Sequence, residues 1–135
     1  MTTTRELLTT HPRETAFDAS VLATSIDVLN DCAQSCTACA DACLGEQDVS
    51  MLVRCIRLCL DCADVCAATG RVLGRQTEMA VGVVRPVLEA CLEACAACAE
   101  ECERHAEHHE HCRVCAEECR RCEQSCEEAL AAIAA

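Results

Sequence analysis

The sequence has 135 residues and a mass of 14.5 kDa, which is enough for one domain and too little for two ordinary ones. Seventeen residues are cysteine, Trp and Tyr are absent, and Phe17 is the only aromatic residue, so large rings cannot fill the core. A net charge of -12 and a pI near 4.7 argue against nucleic-acid binding, which requires clustered Lys and Arg.

The chain begins with a polar segment, residues 1–15, which is predicted to be an extension with a short helix ending at His11-Pro12. Residues 16–135 are predicted to form the Cys-rich domain. The start lacks the apolar stretch of a secretory signal, and no run approaches the roughly 18 apolar residues of a membrane span. We therefore expect a cytosolic protein with reduced thiols, and cysteines in such number then indicate a metal protein before a disulfide scaffold. His11, beside a proline and outside the Cys-rich domain, is expected at the surface.

The cysteines fall into four clusters that share the spacing Cys-x3-Cys-x2-Cys-x3-Cys, with one further cysteine a turn before the last cluster. Steps of four, three and four residues keep four side chains within roughly 60° of one another on a helix, whereas a strand would scatter them over both faces. No Gly or Pro lies inside a cluster. The pattern predicts four amphipathic helices whose buried stripes consist of sulfur.

The boundaries of these helices are predicted from capping and helix-breaking residues. In chain order, these are Gly45 as the end of the first helix, Asp48 or Ser50 as the cap of the second, Gly70 and Gly74 as breaks after it, and Gln76 or Thr77 as the start of the third. Pro86 is expected either to kink the third helix or to start it. Because the connections are short, the fold class is predicted to be all-α, an antiparallel up-down-up-down four-helix bundle with a Cys-lined core plus the short N-terminal helix.

Antiparallel order gives the predicted bundle two different ends. At one end the thiol stripes continue as Met51, His105 and His108, with His109 and His111 close by. At the other end they continue as aliphatic residues: Val21, Val28, Leu29, Leu73, Val84, Val87, Leu88, Leu130 and Ile133. The His/Met end is the expected mouth, and the aliphatic end is expected to be closed.

The identity of the metal is inferred from the negative charge of the thiolates. Soft thiolates favour Cu(I), Zn(II) or iron-sulfur clusters, and buried thiolates need compensating charge. Zinc bound by four thiolates leaves a charge of about -2 per ion, whereas one Cu(I) per thiolate leaves the core neutral. We expect roughly one Cu(I) per cysteine, with a few more ions at the mouth. Iron-sulfur binding fits less well because every spacing is helical and no Pro follows a cluster. The Cys-x2-Cys steps lack the βαβ context of a thioredoxin.

The four clusters, together with the His-rich turn before the last helix and the absence of an export signal, resemble the cytosolic branch of the bacterial copper storage protein family over roughly residues 17–135. The resemblance implies a tetrameric four-helix bundle that stores many Cu(I) ions on inward-facing cysteines, with His and Met ligands at the open end. The implied ligands here are Cys32, Cys36, Cys39, Cys43, Cys55, Cys59, Cys62, Cys66, Cys91, Cys95, Cys98, Cys102, Cys112, Cys115, Cys119, Cys122, Cys126, His105, His108, His111 and Met51.

Alternatives to these roles stay open at the level of sequence. The cysteines could be small buried hydrophobes, the histidines a solvated turn and Met51 a core residue. A Zn(II) store or a thiol-redox sensor would use the same thiols, although a redox sensor needs exposed, low-pKa cysteines. An enzyme is not expected, because no catalytic motif is present. The partners expected are copper ions, copper donor or acceptor proteins and further copies of the chain, but neither nucleic acid nor a membrane.

Overall fold

The computed structural model describes residues 2–134, and all of the regular structure in this part of the chain is helical. The elements, in order, are α1 (Thr3–Thr10), α2 (Ala19–Leu44), a 3-10 turn (Val49–Leu52), α3 (Val53–Leu73), α4 (Val81–His105) and α5 (Glu110–Ala134). None of these helices combines the length and the apolar character needed to cross a membrane.

The four long helices close into a bundle in which α2 packs on α3, α3 on α4, α4 on α5, and α5 back on α2. Their order is antiparallel: Cys66, late in α3, contacts Cys91, early in α4, while Cys55, early in α3, contacts Cys102, late in α4. The predicted all-α four-helix bundle with an additional short N-terminal helix is confirmed.

Local signals set several helix ends, and those at Gly45 and Gly74 were predicted from the sequence. The Asp18 carboxylate accepts a hydrogen bond from the Val21 amide at 3.0 Å and caps α2. Gly45 ends α2 by donating its amide hydrogen to the carbonyls of Asp41 and Ala42. Gly74 ends α3 in the same manner, through the carbonyl of Gly70.

Two predicted boundaries of α3 are wrong. Neither Asp48 nor Ser50 caps this helix, because a 3-10 turn precedes it and Leu52 occupies the cap position. Gly70 does not break the helix but lies buried within it, where an added Cβ would come 3.1 Å from Asn30 Oδ1. Glycine at this position permits the close approach of α2 and α3, and this packing outweighs its weak helix propensity.

The start of α4 also differs from the prediction. It begins at Val81, with Ala80 as its cap residue, rather than at Gln76 or Thr77. Gln76 is instead buried and donates to the Leu73 carbonyl at 2.7 Å, which satisfies one of the free acceptors at the end of α3. Pro86 does not start α4 and lies inside it, close to the N-terminus. At that position the absence of its N–H removes a single intrahelical hydrogen bond.

The end of the bundle away from the histidines is closed by aliphatic side chains. Leu29, Leu73, Val84 and Leu88 are buried there, as predicted. Val21 and Val28 are only partly buried, and Leu22 and Ile26 occupy the core positions of the first turns of α2 instead. The short helix α1 lies against α2, with the Arg5 guanidinium donating to Thr24 Oγ1 at 3.0 Å.

Candidate metal centre

A column of sulfur runs through the centre of the bundle. All seventeen cysteines are free thiols, and none is more than 2% exposed. The four-three-four spacing therefore places every cysteine of each long helix on its inward face. Solvent reaches these thiols poorly, which disfavours the exposed, reactive cysteines that a redox sensor requires.

The thiols of different helices lie in contact. Sγ–Sγ distances include 3.5 Å between Cys36 and Cys119 and 3.7 Å between Cys66 and Cys91. These values are far longer than the roughly 2.05 Å of a disulfide bond. The sulfurs thus face one another across the core without being bonded.

Several groups of four thiols have all their sulfur atoms within 4.8 Å of one another, the proximity that ligands of a shared metal ion require. Two of these groups take one cysteine from each long helix: Cys32, Cys66, Cys95 and Cys122, and Cys39, Cys59, Cys102 and Cys115. Two further groups are Cys32, Cys36, Cys62 and Cys119, and Cys36, Cys98, Cys115 and Cys119. Because neighbouring groups share members, the thiols form one continuous series of overlapping sites along the bundle axis.

One group at the His end combines thiols with an imidazole. His111, at the start of α5, forms it with Cys39, Cys43 and Cys112. Its Nδ1 lies 3.5 Å from Cys39 Sγ and 3.6 Å from Cys112 Sγ. Of the four non-thiol ligands predicted from the sequence, His111 is the one that the fold places against the thiol column.

A carboxylate holds the other side of this imidazole. Glu46, in the turn after α2, lies 2.9 Å from His111 Nε2 and 2.7 Å from His109 Nδ1. The hydrogen bond from His111 lowers the pKa of Glu46. Desolvation acts to lower the pKa of His111, but its hydrogen bonds with Cys39 and Glu46 outweigh that effect and raise the pKa overall.

The remaining predicted mouth residues line an open cavity of about 490 Å³, which we call the vestibule. Its lining residues are Glu46, Gln47, Asp48, Met51, His105, His108 and His109. The Nε2 atom of His105 lies 3.0 Å from the carboxylate of Glu101, which is only 9% exposed. His108 is exposed.

Met51 does not continue the thiol stripe of α3, contrary to the prediction. The 3-10 turn changes the helical phase there, so that Leu52 points into the core and Met51 is 69% exposed. The structure therefore brings Met51 to the vestibule together with three histidines, but not to the thiols.

Sequence reasoning missed the two carboxylates that hold the histidines. Glu101 precedes His105 by four residues in one helix, and this i, i+4 spacing could have identified the pair. Glu46 is separated from His111 by 65 residues, and nothing in the sequence brings them together.

Comparisons with known proteins address the identity of this site. A family model described as copper storage protein matches residues 18–131. The structure of the copper storage protein Ccsp from Streptomyces lividans, loaded with ten copper equivalents, is 54% identical, with a TM-score of 0.94, over 96% of this chain and 99% of that one.

Two other structures of the Streptomyces lividans protein are similar as well. One, described as a cytosolic copper storage protein with five coppers, is 58% identical, with a TM-score of 0.82, over 83% of this chain and 93% of that one. A variant of it with one histidine replaced by alanine is 55% identical, with a TM-score of 0.85, over 87% and 98% of the two chains. No curated protein matches this sequence.

Proposed function

This chain belongs to the copper storage protein family, and from that membership we propose that it stores Cu(I) in bulk on the seventeen thiols of its core. The ions are its cargo and not a resident cofactor. Each of the seventeen cysteines is assigned as a ligand, and roughly one Cu(I) per cysteine is stored.

The observation that carries this proposal is the overlap of the thiol groups along the bundle axis. Separate tetrahedral sites would need distinct sets of four ligands, whereas here Cys32, Cys36 and Cys39 each belong to two groups. Shared sulfurs suit ligands that bridge two ions. One monovalent ion per thiolate also leaves no net charge in the core, where unpaired charge is costly.

The His end is proposed as the opening through which copper reaches the thiols. Met51, His105 and His108 are assigned as vestibule ligands, and His111 as a ligand shared with the first thiols. Thioether, imidazole and thiolate are all donors to soft or borderline metals, so an ion passes from weaker to stronger ligands as it moves inward.

The remaining assignments rest on the sequence and its resemblance to the family, and the cytosolic location is also that of the similar Streptomyces lividans protein. We propose a cytosolic protein with residues 1–15 as an extension to the bundle of residues 16–135, without catalytic activity, and assembled as a tetramer that exchanges copper with donor or acceptor proteins. A Zn(II) store is not favoured because the family stores copper, and a thiol-redox sensor is not favoured because the thiols are buried.

Titration with Cu(I) under anaerobic, reducing conditions tests the proposal. We expect binding to saturate near one ion per cysteine, in the presence of a competing chromophoric Cu(I) chelator, with metal analysis after desalting. A parallel titration with Zn(II) should saturate at a much lower ratio because four thiolates are consumed per tetrahedral ion. Saturation with only a few Cu(I) ions per chain would contradict bulk storage.

Proton release provides a second test. Burial raises the pKa of the Cys43 thiol, and hydrogen bonding with Cys39 together with burial raises that of Cys112, so these thiols are protonated at neutral pH before copper binds. We expect about one proton to be released per Cu(I) until the thiols are filled, measured by pH-stat in unbuffered solution. Ions bound by neutral His or Met release none. A release well below about half a proton per ion during thiol loading would show that the thiols are not the ligands.

A further inference from the structure

Glu46 lies outside the set of metal ligands but contacts two histidines at once. Its backbone lies in the turn between α2 and α3, and its side chain extends to the turn between α4 and α5. There its Oε2 lies 2.9 Å from His111 Nε2 and 2.7 Å from His109 Nδ1. We infer that Glu46 is the positioning residue that fixes the tautomers of His109 and His111, and thereby directs the Nδ1 lone pair of His111 at the thiols of Cys39 and Cys112. This inference rests on the proposed function.

The two ring nitrogens of a neutral imidazole differ in hydrogen-bonding capacity. One ring nitrogen carries the proton and donates, and the other carries a lone pair and accepts a hydrogen bond or binds a metal. A carboxylate only accepts, so the nitrogen facing it must be the protonated one. For His111 the proton is then on Nε2, and Nδ1 is free for a metal ion.

The position of the free nitrogen matches the thiol group. His111 Nδ1 lies within 3.6 Å of Cys39 Sγ and Cys112 Sγ, and Cys43 completes the set within 4.8 Å. A His111 ring protonated at Nδ1 would present a hydrogen to this site instead of a lone pair. Glu46 therefore makes the ring competent for copper without touching the ion itself.

The same carboxylate oxygen imposes the opposite tautomer on His109. With its proton on Nδ1, the Nε2 atom of His109 is the free nitrogen, and His109 lines the vestibule. The two rings lie 5.5 Å apart between their centres. Glu46 thus leaves a free ring nitrogen on His109, which lines the vestibule, and another on His111, which faces the thiols.

The tautomers can be measured in the copper-free protein. Nitrogen-15 NMR of histidine-labelled protein distinguishes protonated from free ring nitrogens, and spectra recorded at rising pH, until the signals no longer change, report the neutral rings. The His111→Ala and His109→Ala variants assign the signals. We expect a pure Nε2–H tautomer for His111 and a pure Nδ1–H tautomer for His109, and mixed tautomers for both in Glu46→Ala.

The consequence for copper is tested by a double-mutant cycle in Cu(I)-chelator competition. The part of the binding curve that His111→Ala alters reports on the His111 site. We expect Glu46→Ala to lower the Cu(I) affinity in that part of the curve by about tenfold or more, which is the usual effect of removing a residue that orients a ligand. Adding Glu46→Ala to the His111→Ala variant should not lower the Cu(I) affinity in that part of the curve any further.

Two control variants separate orientation from charge and from folding. Glu107→Ala removes one exposed carboxylate from the same turn as His109 and is expected to leave tautomers and binding unchanged. Glu46→Gln keeps an acceptor oxygen of equal reach and should retain most of the wild-type behaviour, even if Glu46→Ala disturbs the turn.

Unchanged tautomers in Glu46→Ala would overturn the inference. So would a loss of Cu(I) affinity in Glu46→Ala that is no larger than the loss in Glu107→Ala. A loss of Cu(I) affinity from Glu46→Ala that is equally large when His111 is already alanine would overturn it as well. The tautomer measurement requires no copper, and the total capacity of the wild-type protein is measured separately. Failure of this inference is therefore distinguishable from failure of the storage proposal.

Discussion

The protein loaded with Cu(I) is expected to unfold at least about 20 °C above the copper-free protein. The reason lies in the composition of the core. Sulfur fills the positions that Leu, Ile and aromatic side chains normally occupy, and the large aliphatic residues are concentrated at one end. Without metal, the thiols contribute only dispersion and the burial of a small side chain at each position.

Copper adds links between helices that the copper-free core lacks. Four-thiol groups such as Cys32, Cys66, Cys95 and Cys122 draw one sulfur from each long helix, so metal bound there connects all four. A ligand at a thousand times its dissociation constant adds about 4 kcal/mol per site when it binds only the folded state. Because thiols of the unfolded chain also bind copper, the gain per ion is smaller, but it is repeated over many ions.

Far-UV circular dichroism under anaerobic conditions measures this effect directly, since the described chain is 82% helical and loses that signal on unfolding. The copper-free reference must be kept reduced so that disulfides do not replace the metal links. Partial loading should give intermediate melting temperatures. A shift of less than about 5 °C on full loading would mean that copper does not connect the helices.

The repeat predicted the fold and the thiol column because both depend on local geometry. A spacing of four, three and four residues determines which face of a helix carries sulfur, whatever the rest of the protein does. Because the connecting turns are short, antiparallel packing was the simplest arrangement of the four helices. The same helical phase predicted the burial of the aliphatic residues at the closed end, which are Leu29, Leu73, Val84 and Leu88.

The residues at the mouth were harder to predict because they lie where helical phase is interrupted. Met51 sits in a 3-10 turn, so the phase of α3 does not extend to it. The aliphatic end holds one similar case, because Gln76 does not start a helix and its side chain is buried against the end of α3. Glu46 acquires its role only when two turns from opposite halves of the chain meet, and this is a tertiary contact that no local pattern encodes.

The closed end provides the second large effect. Leu88, in α4 three residues before Cys91, is completely buried among the aliphatic residues of that end. Replacing a buried leucine with alanine costs about 2–5 kcal/mol, which is a large share of the roughly 5–15 kcal/mol that stabilises a typical domain. Leu88→Ala should therefore lower the melting temperature of the copper-free protein by about 10 °C.

The matched control for this variant is Leu60→Ala in α3, whose side chain is 46% exposed. It should change stability by no more than about 0.5 kcal/mol, as surface substitutions usually do. Both melts are recorded by circular dichroism at the same protein concentration. Equal effects of the two variants would contradict the assignment of the aliphatic end as the structural core of the copper-free bundle.

Copper capacity separates this structural role from storage. Leu88 has no donor atom, so Leu88→Ala should bind as many Cu(I) ions as the wild type, and loading should keep it folded at temperatures where its copper-free form is unfolded. Folding and storage would then depend on different parts of one core, with leucine holding the closed end together before copper arrives and sulfur-bound metal holding the rest afterwards. A loss of capacity larger than the one or two ions nearest Cys91 would instead mean that the aliphatic end is needed to align the whole thiol column.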